Sequence, residues 1–86
     1  MPEISRFLGI VITMYFNDHN PPHFHVRYEE FRAAIAIATL EIRDGELPRR
    51  VFELVVEWAE MHQAELIDNW TSLGKSGTFN RVAPLI

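Results

Sequence analysis

The sequence predicts an α+β domain, with an antiparallel sheet of three to four strands packed against one long C-terminal amphipathic helix and an extended tail after it. Three observations predict this. Short runs rich in β-branched and aromatic residues occupy positions 8–43. After Pro48 the spacing of apolar residues lengthens from two to three and four. Gly74 then closes that pattern at a natural helix stop. At 86 residues the chain supports one core and not two, so residues 1–86 are one domain.

The first strand is placed in LGIVITMYF (8–16), apolar on both faces and too short for a typical helix. NDHNPP (17–22) is a loop: Asn17 and Asp18 favour turns, and Pro21–Pro22 stiffen the exit. HFHVRY (23–28) alternates, with Phe24, Val26 and Tyr28 on one face and His23, His25 and Arg27 on the other. A turn at Glu29–Glu30 leads to RAAIAIA (32–38), which continues into or bends before residues 39–43. Pairing Tyr28 with Ala33 would put His23, His25 and Arg27 beside Ala38, Ala36 and Ala34.

Asp44–Gly45 reads as the turn before the helix, and Pro48 suits a first helical position. The stripe Val51, Leu54, Val55, Trp58, Met61, His62, Leu66, Trp70 and Leu73 gives a helix over about 48–73. A break near Gln63–Glu65 would relieve its unusual length. Both tryptophans read as core, and His62 as a core or boundary residue. Residues 74–86 are the tail, with Pro84 confining it to an edge or a loop.

Composition narrows the function. With no cysteine, disulfides, thiolate ligands and cysteine nucleophiles are excluded together. No apolar run reaches the ~20 residues that span a bilayer, and the N-terminus has neither a basic leader nor a cleavage site, so a cytoplasmic protein is expected. A formal net charge of −4 means that any nucleic-acid contact would need a local basic patch.

Three of the four histidines lie in NDHNPPHFHV (17–26). On an extended strand His23 and His25 share a face with their Cα atoms about 6.6 Å apart, and His19 is on a loop able to fold over them. They supply three ligands for zinc or another divalent transition metal, and Asp18 would complete or orient such a site. The same residues suit metal-independent acid–base catalysis, with His19, His23 and His25 moving protons and Arg27 holding a phosphorane. Solvated, loop-stabilising histidines are the third reading. Arg49 and Arg50 stand in the first turn of the helix, where free N–H groups and two guanidinia would receive a phosphate or carboxylate. Ion pairs to Glu46 or Glu53 would occupy them equally well. Together with Arg27 and Arg32, these two arginines would give the local basic patch that an RNA reader requires, if the fold brings them together.

Taken together, MPEISRF, NDHNPPHFHV, the LPRR helix start, EWAEMHQAEL, NW and the closing PL resemble the bacterial and archaeal family called domain of unknown function 4160. The likeness covers nearly the whole chain, and the proline-flanked histidine run is its specific part. The resemblance implies the toxin-like member of a two-protein toxin–antitoxin module, with a small antitoxin-like partner. No catalytic residues come with it, and where the family carries acids late in the third strand this chain has Ala36 and Ala38. The combined expectation is a toxin-like subunit acting on RNA through its His/Arg face. The alternative is a non-catalytic domain that binds a partner or a metal there. If an enzyme, it would be an endoribonuclease needing no cofactor. A sheet edge or the tail would serve a homodimer.

Overall fold

Leu8 and Gly9 both take positive φ, 53° and 79°, and the tight turn they form divides the apolar run that reads as one strand. The computed structural model describes residues 2–86. In it β1 (Glu3–Phe7) precedes this turn and β2 (Ile10–Thr13) follows it, paired antiparallel. Two φ > 0 residues between strands match the right-handed twist of a hairpin. Leucine at the first of them hides the turn from a reading based on Asn-Gly or Asp-Gly signals.

β3 (His23–Tyr28) and β4 (Phe31–Ala36) are joined by the two-residue turn Glu29–Glu30, with Glu29 at φ 53°. Tyr28 pairs with Phe31, His25 with Ala34 and His23 with Ala36. The expected register, Tyr28 against Ala33, is therefore displaced by two residues. A displacement of two keeps every side chain on its face, so the histidine face survives the correction.

β5 (Ile42–Glu46) pairs with β4. Asp44 and Gly45 are thus inside a strand and not in the turn before the helix. Gly45 has φ 79°, and the register slips between Ala34 and Ile35, as at a bulge. The result is a five-stranded antiparallel meander in the order β1-β2-β3-β4-β5, one strand more than the upper expectation.

The single long helix is two: α1 (Arg49–Glu60) and α2 (Gln63–Lys75). Met61 and His62 donate their N–H groups to Trp58 O and Ala59 O, tightening the last turn, and His62 leaves helical geometry at φ −130°. The chain therefore breaks one to two residues before the place expected. α2 also runs past Gly74 to Lys75, and it is Gly77, at φ 75°, that takes the left-handed conformation beyond its end. No helix among the described residues is long and apolar enough to cross a membrane.

The helices cover one face of the sheet. Trp58, fully buried, lies 5.5 Å from Phe7 and 6.0 Å from Phe24 between ring centroids. Val51, Val55, Leu66 and Leu73 pack with Ile4, Ile10, Ile12, Val26 and Ile35. The tail seals one border: Val82 N–H donates to Ile4 O (2.9 Å), Trp58 Nε1–H to Ala83 O (2.8 Å), and Asn69 exchanges two 2.8 Å hydrogen bonds with the Asn80 backbone.

The opposite face is open. Across the five strands its rows read Glu3, Thr13, His25, Ala34, Asp44 and then Arg6, Val11, Arg27, Arg32, Glu46.

Candidate metal centre and adjoining groove

Strand parity delivers His23 and His25 to the open face, and the loop before β3 brings a carboxylate to meet them. Asn17 at φ 57° turns the chain, and the Asn20–Pro21 bond is cis. Asp18 Oδ2 then lies 3.0 Å from His23 Nε2 and 3.2 Å from His25 Nε2. One ligand atom from each of the three residues falls within 4.8 Å of the others. His19 approaches the other oxygen, with Nδ1 3.0 Å from Oδ1, and its side chain is 88% exposed.

The second nitrogen of His23 decides what this cluster can do. Nδ1 lies 2.8 Å from Pro21 O, and a carbonyl only accepts, so Nδ1 carries a proton. Nε2 then points at an anionic oxygen as a lone pair, unless it too is protonated. Either a proton on Nε2, which makes an ion pair with Asp18, or a metal ion shared by the two atoms satisfies that approach, and a ligating histidine commonly anchors its other nitrogen on a backbone carbonyl in this way. The two Asp18 separations suit a shared ion as well as direct hydrogen bonds: with bonds of about 2.0–2.2 Å, neighbouring ligand atoms stand roughly 3.0–3.5 Å apart in a tetrahedral or octahedral shell. His23 is 5% exposed, held against the Trp70 ring at 5.2 Å.

Asp18 is kept in its anionic form. Burial would raise its pKa, but the His19 N–H, the His25 ring and the charges of His23 and His19 outweigh that and hold it below the usual aspartate range. His25 is packed edge-on by Tyr15 at 4.5 Å.

Two hollows of about 250 Å³ each meet at this point. One lies over the cluster, lined by His19, Pro21, His23, His25 and, from β5, Arg43 and Asp44. The other runs along the open face past Thr13, Tyr15, Arg27 and Arg32. His25, Ala34 and Asp44 line both, and the alanine keeps the floor low between them.

Of the residues singled out in the sequence, Asp18, His19, His23 and His25 come together, and Arg27 stands one row away on the same face. Arg49 and Arg50 line neither hollow; Arg49 pairs with Glu53 at 3.4 Å. Their helix is on the other side of the sheet. His62 is a boundary residue as expected, with its ring 5.6 Å from Trp58 and Nδ1 2.6 Å from Glu65 Oε1. Trp70 packs against the core as read, though only half-buried, and its ring also braces His23. Of the two alanines singled out late in the third predicted strand, Ala36 stands beside His23 and Ala38 follows β4. Asp44 and Tyr15 escape the sequence reading. The Asp-Gly dipeptide reads as a turn, and only the β4–β5 register sets Asp44 in the row of His25.

No curated protein and no solved structure matches the chain. A family model does match, over residues 9–71, a span that begins at the β1–β2 turn and takes in the histidine loop, the rest of the sheet and both helices as far as Thr71. On that match, which covers more than half of its length, the chain belongs to the family described as Domain of unknown function (DUF4160).

Proposed function

We propose that the protein is a metal-binding domain in which Asp18, His23 and His25 hold one divalent transition-metal ion. The carrying observation is the His23 ring, whose Nδ1 at 2.8 Å from Pro21 O leaves Nε2 to face Asp18 Oδ2 at 3.0 Å. Two imidazoles and one carboxylate suit zinc or iron(II) and leave coordination positions for a ligand. Those positions would open into the hollow over the cluster, which the exposed His19 lines. Calorimetric titration of tag-free, metal-stripped protein with zinc, iron(II) and manganese(II) tests the reading. One saturable site is expected, weakened at least tenfold in Asp18→Asn and in His23→Ala. Heats that are the same in all three proteins would refute it.

A second reading keeps the expectation of a toxin-like, RNA-cleaving subunit without metal. It is supported by the placement of His25 between the Asp18 carboxylate and the Arg27 side of the groove, a carboxylate-oriented imidazole beside a cation. Inducible expression with and without the neighbouring antitoxin-like protein, followed by growth and RNA integrity, separates the two. Cleavage that persists in chelator and is lost in His25→Ala supports the metal-free enzyme; intact RNA removes it.

A further inference from the structure

Arg27 and Arg32 face each other directly across β3 and β4, on the open side of the sheet. Like charges in such a pair repel and are destabilising. Acids nearby do not relieve them. Glu46 is the β5 partner of Arg32, yet no ion pair forms between them, and neither Arg27 nor Arg32 has a side-chain hydrogen bond or salt bridge among the described residues. Arg6 and Arg81 both bind Glu3, at 2.7 and 3.0 Å, and Arg49 binds Glu53; Arg43, Arg50 and Lys75 have no such partner among the described residues either, and what sets Arg27 and Arg32 apart is that they stand opposite each other. Glu3 lines the groove, but its charge is already met by two guanidinia.

The two free guanidinia line the same hollow as Tyr15 and His25, and His25 is the wall shared with the metal cluster. We propose that this groove is a phosphate subsite, and that its ligand is a phosphate ester of about nucleotide size. Arg27 and Arg32 together present planar donors that match a tetrahedral oxyanion. The hollow of about 250 Å³ accommodates a phosphate with part of its ester, and the Tyr15 ring offers an apolar wall for the remainder. This rests on the metal reading in one respect only: an ester oxygen extending past His25 and Ala34 would reach the ion's open position. Asp44, whose Oδ1 accepts from Gly45 N–H at 3.0 Å, stands at that junction and would turn anionic groups toward the guanidinia.

Amide chemical-shift titration of the full chain tests the proposal, first in chelator and then with zinc, using inorganic phosphate and adenosine 5′-monophosphate as probes and chloride at matched ionic strength as control. Shifts are expected at Val11, Thr13, Ala33 and Ala34 with phosphate, stronger with the nucleotide, in both metal states. Arg27→Gln/Arg32→Gln should lose binding at least tenfold while still titrating zinc like the parent. Asp18→Asn should keep binding in chelator. Shifts that chloride reproduces, or that the double glutamine variant retains, would overturn the subsite and leave the metal reading untouched. Loss of zinc binding with phosphate binding preserved would remove the metal reading alone.

Discussion

Gly45 shows how one residue fixes the geometry behind the site. At φ 79°, a Cβ there would stand 2.1 Å from Arg32 O, so both the backbone and the space forbid a side chain. Gly45→Ala is expected to cost about 1–3 kcal/mol in denaturant unfolding and to displace Asp44 and Arg32 together. Ser5 makes the opposite case. Its Oγ is buried with no hydrogen-bond partner, so Ser5→Ala should leave stability unchanged or raise it. Glu3 gives a pH signature. The hydrogen bond from Arg6 lowers its pKa, burial opposes that, and the charges of Arg6 and Arg81 add to the lowering. A depressed carboxylate stabilises the fold above its unfolded pKa and loses that contribution as pH falls through the folded value. Parent and Glu3→Gln should therefore differ in Tm at neutral pH and converge as the pH falls below the usual glutamate range, as thermal unfolding at several pH values would show. At this scale the sequence was informative about the face and silent about the contacts. Alternation in HFHVRY placed His23, His25 and Arg27 together, but nothing in it tells that Pro21 O meets His23 Nδ1, because that contact depends on how a six-residue loop closes.

The elements were legible where their period was clean and obscured where a junction kept the period going. The apolar stripe passes through Met61–His62 with little change, so two helices read as one. β1 was missed because EISRF carries two charges, Glu3 and Arg6, in five residues, and the turn after it uses leucine where asparagine or glycine would have announced it. The tail could be read as extended, but not its anchor. Asn69, 3% exposed, satisfies both the N–H and the C=O of Asn80. Asn69→Ala leaves two backbone groups unpaired, and a loss of about 1–3 kcal/mol is expected in urea unfolding, with earlier proteolysis within residues 78–86.

For the molecule as a whole, two helices packed on one side leave most of the other sheet face uncovered, and the candidate site lies on that face and not on the helix surface. A bound ion would tie the loop of Asp18 to β3, so binding and folding should be linked. Zinc at about 100 times its Kd would add roughly 2.7 kcal/mol, enough to raise Tm by about 10 °C or more in a chain of this size. Differential scanning fluorimetry should record that rise in the parent and its absence in Asp18→Asn.

The border closed by Val82 has its counterpart in β5, whose five residues are all exposed and whose outer backbone groups have no strand beyond them. A sheet with one bare margin can accept a strand from a twin molecule once, giving a ten-stranded pair about a two-fold axis, and then has nothing left to offer a third. Growth beyond a pair would need the β1 margin as well, where the tail already holds Ile4 O, and Arg43, Asp44 and Glu46 along the β5 margin make even the pairing step selective.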